Sequence, residues 1–162
     1  MMHPAIAPGA LGVTPDEADP TGITAPDLGP LYAAHGRTLD ALAGFETMVE
    51  KAEPHFRPVA ERFAGLHRRH GGELGLMLAE LGGTPDGDGT LMGTVNKAVV
   101  SLRAFFGEID EDAMDSIRSG EQHVCTAYQE ALASDLPAPI QMRIAALLAE
   151  LNDLLAETRS IG

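Results

Sequence analysis

The sequence has no tryptophan, and Phe and Tyr bring its aromatic content to only 4%. A core built with so few rings has to come from Leu, Ala, Val, Ile and Met, which suits packed helices better than a β-sandwich. There is one cysteine, Cys125, so an intrachain disulfide framework and a cysteine-based zinc site are both excluded. A lone thiol fits a reducing compartment, and the chain reads as cytoplasmic. Basic residues are scarce. Lys+Arg 11 against Asp+Glu 24 gives a net charge of -13. Phosphate contacts need Lys and Arg, so nucleic acid is not an expected partner. An anionic membrane surface would repel such a chain. No stretch approaches the roughly 20 apolar residues of a membrane span, so no membrane association is expected. The first residues lack a basic segment followed by an apolar run, so no signal peptide is expected either. Strand signals are missing too: there is no β-branched alternation and no Asn-Gly hairpin.

Hydrophobic residues make up 44% of the 162 residues, enough to bury one core. Residues 1–29 stand apart. Pro4, Pro8, Pro15, Pro20 and Pro26 recur every few residues and disfavour helix. Asp16, Glu17, Asp19 and Asp27 are not balanced by any Lys or Arg there. This stretch reads as a flexible acidic tail, with docking to a partner as the alternative. Residues 30–160 read as the folded domain.

From Pro30 the pattern becomes helical. Leu31, His35, Thr38, Leu42, Phe45, Val49 and Ala52 recur at spacings of three and four. Asp27 is placed to cap this helix, Pro30 falls in its first turn, and Pro54 ends or kinks it. A second helix is predicted from about His55 to Leu81. Its stripe is Phe56, Val59, Phe63, Leu66, His70, Glu73 or Leu74, Met77 and Leu81, and Gly82-Gly83 stops it. A polar loop at Asp86–Thr90 leads to a short helix, Leu91–Phe106, closed by Gly107. Asp110 then caps a helix reaching about Ala133, with Met114, Ile117, Glu121, Val124, Tyr128, Ala131 and Leu132 in phase. After Asp135-Leu136-Pro137 the last helix runs to about Arg159. Ile140, Ile144, Leu147, Leu151, Leu154 and Thr158 form its stripe, widened by Leu148 and Leu155. Tight links between the first two and last two long helices make antiparallel neighbours. The longer middle connection permits a crossover. The predicted fold is all-α: a ferritin-like antiparallel four-helix bundle with one long crossover carrying a short extra helix.

Several segments strengthen this reading. They are Leu81-Gly82-Gly83-Thr84-Pro85, Gly89-Thr90-Leu91-Met92-Gly93, Ser119-Gly120-Glu121, Tyr128-Gln129-Glu130-Ala131-Leu132 and Asp135-Leu136-Pro137. In this order and spacing the chain, over about residues 31–159, resembles a bacterial family of ferritin-like four-helix-bundle proteins whose function is not established. The wider ferritin-like group often carries two metal ions inside the bundle, so the resemblance raises a metal site here.

Such a centre needs one Glu from each of two helices and a Glu-x-x-His from each of the other two. The third long helix offers Glu121, in phase with Ile117, Val124 and Tyr128. A carboxylate on an apolar face is costly unless paired or metal-bound, so Glu121 is a ligand, the partner of a core His or Arg, or a side chain that leans out to solvent. The second helix offers His67 and His70 one turn apart, with His70 on the stripe and His67 at its edge. Glu73 follows at the next turn, and a His/His/Glu cluster suits zinc, copper or iron. The alternative for a histidine on an apolar face is a hydrogen-bonded core residue. The first helix presents Leu42 near the position where relatives tend to carry an inward Glu, with Glu46 and Glu50 toward the flank. The last helix has no histidine, and Glu150 and Asp153 fall on its polar side. A complete di-metal set is not assembled by this rule. What remains is a partial site for iron or zinc on His67, His70 and Glu121.

Other chemistry is thinner. His123 points about 160° away from Cys125 on a helix. Gly82-Gly83 and Asp86–Gly89 lack the Lys and Ser/Thr of a phosphate loop, and Asp86-Gly87-Asp88 is too short for an EF-hand loop. Arg62, Arg68 and Arg69 are expected to pair with nearby Glu. The expected function is therefore non-enzymatic: a bundle acting by association, as a homodimer or with another protein. The apolar width of the last helix and the Leu91–Phe106 segment offer surface beyond one core face. The alternatives are a metal-binding protein, or a small-molecule binder with a polar pocket around His35, His70 and Glu121.

Overall fold

The computed structural model describes residues 24–85 and 109–161. Among them are four α-helices and no strand. They are α1 (Gly29–Lys51), α2 (Arg57–Glu80), α3 (Met114–Ala133) and α4 (Ala138–Glu157). A 3₁₀ turn, Glu111–Ala113, leads into α3, and another, Thr158–Ser160, follows α4. The expected helix Leu91–Phe106, the segment Gly89–Gly93 and most of the expected tail lie outside the described residues. No helix among the described residues is long and apolar enough to cross a membrane.

Local chemistry sets the helix ends. Asp27 Oδ1 accepts the Gly29 N–H at 2.9 Å, and Pro30 sits in the first turn of α1, where no donor is lost. Before α3, Asp110 Oδ1 accepts the Asp112 N–H at 3.1 Å. The end of α2 is a Schellman turn: Gly82 takes φ 81°, its N–H donates to Ala79 O at 3.1 Å, and Gly83 N–H donates to Leu78 O at 2.8 Å. At the far end of the bundle, Arg118 of α3 donates to the carbonyls of Thr158, Arg159 and Ile161, capping the terminus of α4.

α1 packs on α2 and α3, and α4 packs on α3 and α2, which leaves α2 and α3 on one diagonal. The chain approaching α3 lies beside the end of α1, where Ala52 pairs with Ile109 and Glu53 N–H donates to Ile109 O at 3.1 Å. α2 ends at the opposite pole, about 36 Å away by helix rise. The connection between α2 and α3 therefore joins opposite ends, and the bundle has the expected single long crossover.

The core follows most of the predicted stripes, although Leu42, Val49, Val59, Leu81 and Leu132 are only partly buried. Ile140, Ile144, Leu147, Leu151, Leu154 and Thr158 are all buried, as are Met114, Ile117, Glu121, Val124, Tyr128 and Ala131. In α2, Leu74 is buried and Glu73 is exposed, which settles that pair in favour of the leucine. His67, expected at the edge of the stripe, is fully buried. The cause is a second inward row of small residues on α2, Ala60, Ala64, Gly71 and Gly75, against which α1 packs closely. A methyl on Gly71 would come within 3.0 Å of Leu39 Cδ2.

The seam between α2 and α4 is closed by ion pairs at seven-residue steps. Arg62 pairs with Glu157, Arg69 with Glu150, and Arg143 bridges Glu73 and Glu80. Arg68 turns the other way to Glu46 of α1. The arginine cluster of α2 thus pairs with glutamates, as its composition suggested.

Candidate functional site

Four of the buried polar side chains, Thr38, His67, His70 and Glu121, gather at mid-height, where α2 and α3 face each other across the diagonal. Each comes from a different helix register. His67 and His70 are one turn apart on α2, Glu121 and Tyr128 two turns apart on α3, Thr38 sits on α1, and Glu150 on α4. They form two hydrogen-bonded sets.

The first set is a pair. His67 Nε2 lies 2.7 Å from Glu121 Oε1, and both side chains are buried. The His67 ring stacks on Phe45 at 5.5 Å between centroids, and Phe45 stacks on Phe63 at 4.9 Å. The second set is a chain. Thr38 Oγ1 lies 2.8 Å from Ala34 O and 2.8 Å from the Tyr128 hydroxyl. That hydroxyl lies 3.2 Å from His70 Nδ1, and His70 Nε2 lies 3.1 Å from Glu150 Oε2. Arg69 Nη2 donates to the same Glu150 oxygen at 3.2 Å. All four helices meet in this chain.

Burial shapes the electrostatics. Desolvation lowers the proton affinity of His70, partly opposed by its bond to Glu150. The same bond, helped by Arg69, holds the Glu150 carboxyl below the usual carboxylate range. Burial drives the Tyr128 hydroxyl well above its usual range, so it stays neutral at any working pH. The Cys125 thiol is pushed up by burial and by Glu121.

The structure thus places all three predicted metal-site residues inside the bundle but divides them. His67 and Glu121 meet each other, while His70 engages Tyr128 and Glu150. Among the described residues, no three His, Cys, Asp or Glu side chains converge as a metal would require. The inward residues of α1 are Leu31, Ala34, His35, Thr38, Phe45 and Met48; those of α4 are Ile140, Ile144, Leu147, Leu151 and Leu154. Neither row supplies the inward carboxylate a di-metal centre needs, so the donor set does not fit that centre. Glu150 is the residue the sequence pattern missed. Its backbone faces outward and its side chain is 51% exposed, yet its carboxylate reaches over the seam to His70.

These features define a class: an α-helical bundle with one crossover and a buried polar layer at its centre. The chain belongs to the family described as a domain of unknown function, DUF2383, whose profile matches residues 31–134. The match spans α1 to α3 and stops short of α4, a narrower range than the resemblance read from the sequence. No curated protein and no solved structure was found to match the chain.

Proposed function

We propose that this protein is a non-enzymatic member of the ferritin-like group that works by association, with a second copy of itself as the partner. The observation that carries this reading is the make-up of the inward rows of α1 and α4, which offer apolar side chains, a histidine and a threonine where a metal-loaded bundle of this kind would present carboxylates. A bundle without that donor set keeps the scaffold as its useful feature. Two large hydrophobic side chains stand out on the surface of the described residues, Leu76 of α2 at 57% exposure and Met142 of α4 at 73%. They lie on the two helices that share the ion-paired seam, and α4 lies beyond the family match. A second copy that covered both side chains at once would join them into one apolar contact, the kind of patch that marks an interface.

The test is light scattering coupled to gel filtration on the full chain, with elemental analysis of the same sample. The expected result is a dimer mass with no stoichiometric iron or zinc, and a monomer mass for the Leu76→Glu, Met142→Glu double variant. A monomer at every concentration would remove self-association. About one bound iron or zinc per chain, lost in both Glu121→Gln and His67→Asn, would overturn the reading in favour of metal handling on His67, His70 and Glu121.

A further inference from the structure

The buried chain Thr38–Tyr128–His70–Glu150 has an unusual property when its protons are counted. Glu150 is ionised over the ordinary pH range, so it can only accept. His70 Nε2 therefore carries a proton and donates to Glu150. This leaves His70 Nδ1, which faces a hydroxyl that either gives or takes a proton.

With His70 neutral, Nδ1 is an acceptor. Tyr128 O–H donates to it, and Thr38 O–H donates to the Tyr128 oxygen, each along a recorded contact. With His70 protonated, Nδ1–H donates to the Tyr128 oxygen. Tyr128 O–H then donates to Thr38 Oγ1, and Thr38 O–H donates to Ala34 O, 2.8 Å away. Both states leave every donor in the chain with an acceptor. They differ only in where the hydroxyl hydrogens point. No heavy atom has to move.

We propose that His70 is a built-in proton-accepting site of the bundle, switched through the Tyr128 and Thr38 hydroxyls, which reverse their hydrogen bonds together when the imidazole gains a proton. The charge gained lies beside Glu150 at the α2–α4 seam, so protonation tightens that contact instead of leaving a bare buried cation. The groups facing the ring are Tyr128 of α3, Glu150 of α4 and, through Tyr128, Thr38 of α1; α2 itself adds His67, paired to Glu121, and Arg69. Further along the α1–α2 contact, His35 lies against Gly75. Desolvation, His67 and Arg69 oppose the added charge, and Glu150 favours it.

Histidine side-chain nitrogen NMR on the labelled full chain tests this from about pH 8 to about pH 5. Neutral His70 is expected as the Nε2–H form, gaining its proton on Nδ1 while the amide spectrum stays that of the folded protein. Thr38 is hydrogen-bonded to Tyr128 and not to the imidazole, so the informative variant is Thr38→Val. It leaves the reversed Tyr128 hydroxyl without an acceptor, and the His70 midpoint is expected to fall by about half a pH unit or more. Thr38→Ser is expected to restore it. Tyr128→Phe, which keeps the ring, is expected to lower the midpoint further and serves if Thr38→Val does not fold. A structural role alone would lower stability and leave the midpoint in place. An unchanged midpoint in these variants, a neutral Nδ1–H form, or a His70 that stays neutral until the protein unfolds would each overturn the proposal.

Discussion

His67 Nε2 and Glu121 Oε1 lie 2.7 Å apart across the diagonal of the bundle, joining its two facing helices α2 and α3. The remaining polar atoms of the two side chains, His67 Nδ1 and Glu121 Oε2, are buried without a hydrogen-bond partner. The pair is therefore half-satisfied, and its members depend strongly on one another. Removing one strands the other in an apolar interior, whereas removing both removes the problem.

This asymmetry yields the first prediction. Glu121→Ala and His67→Ala are each expected to lose about 3 kcal/mol in urea unfolding, from the stranded partner and the cavity. The double variant His67→Leu, Glu121→Met, which replaces the pair with apolar groups of similar size, is expected to lie closer to wild type than either single change. If the double variant lost the sum of the single losses, the pair would not be coupled as described.

Acid stability should fall in two separable steps. His70 has its proton affinity lowered in the folded protein, so the unfolded chain takes up that proton first. Its contribution is complete above the unfolded value near 6.5 and is lost as the pH falls from there to the lower folded value. Glu150 is shifted in the same direction, from a lower starting value. Its contribution is present above its unfolded value near 4.5 and is lost as the pH falls through the folded value. Urea midpoints at about pH 7.5, 5.5 and 4 resolve the steps, with a slope from one proton of at most about 1.4 kcal/mol per pH unit. His70→Gln is expected to abolish the upper step and to shrink the lower one, because the bond from His70 is the largest cause of the Glu150 shift.

Two glycines give opposite expectations for the same change. Gly82 holds φ 81° in the turn that ends α2, a conformation a β-carbon disfavours. Gly82→Ala is expected to cost about 1 kcal/mol, or about 3 °C in Tm by calorimetry. Gly65 lies inside α2, and a methyl there would meet nothing within 4 Å. Gly65→Ala is expected to stabilise by about 0.5 kcal/mol, because the unfolded chain loses freedom while the helix is unaffected.

Much of this architecture was legible in the sequence because the long helices bury bulky aliphatic side chains at helical spacing. The α4 stripe from Ile140 to Thr158 needed no correction as a buried row, although Thr158 itself belongs to the 3₁₀ turn that follows. His67 was misjudged for a physical reason. Small side chains such as Ala64 and Gly71 carry little hydrophobic signal, yet they widen the buried arc of α2 by letting α1 approach. Glu150 lies on the polar face expected of it, but its contact with His70 was missed for another reason. Spacing places a Cα on a helix face, but a glutamate side chain reaches far enough to serve a neighbour across a seam. Glu121 was read correctly as inward, and of its expected roles the histidine partner is the contact present.

Cys125 supplies the last prediction. Its thiol is buried on α3, 3.8 Å from Asn152 Oδ1 on α4, and burial together with Glu121 disfavours the thiolate. Thiolate is the reactive form, so both access and ionisation protect this residue while the bundle is closed. A thiol-specific reagent such as a mixed aromatic disulfide should react slowly with the native chain and fully once urea unfolds it. The rate should track opening of the α3–α4 contact. Asn152→Ala, which enlarges the space beside the sulfur, is expected to speed labelling several-fold without changing the unfolded rate. Rapid labelling of the native wild-type chain would mean that α4 leaves α3 readily, and the association surface assigned to Met142 would then have to be sought on a different arrangement of the helices.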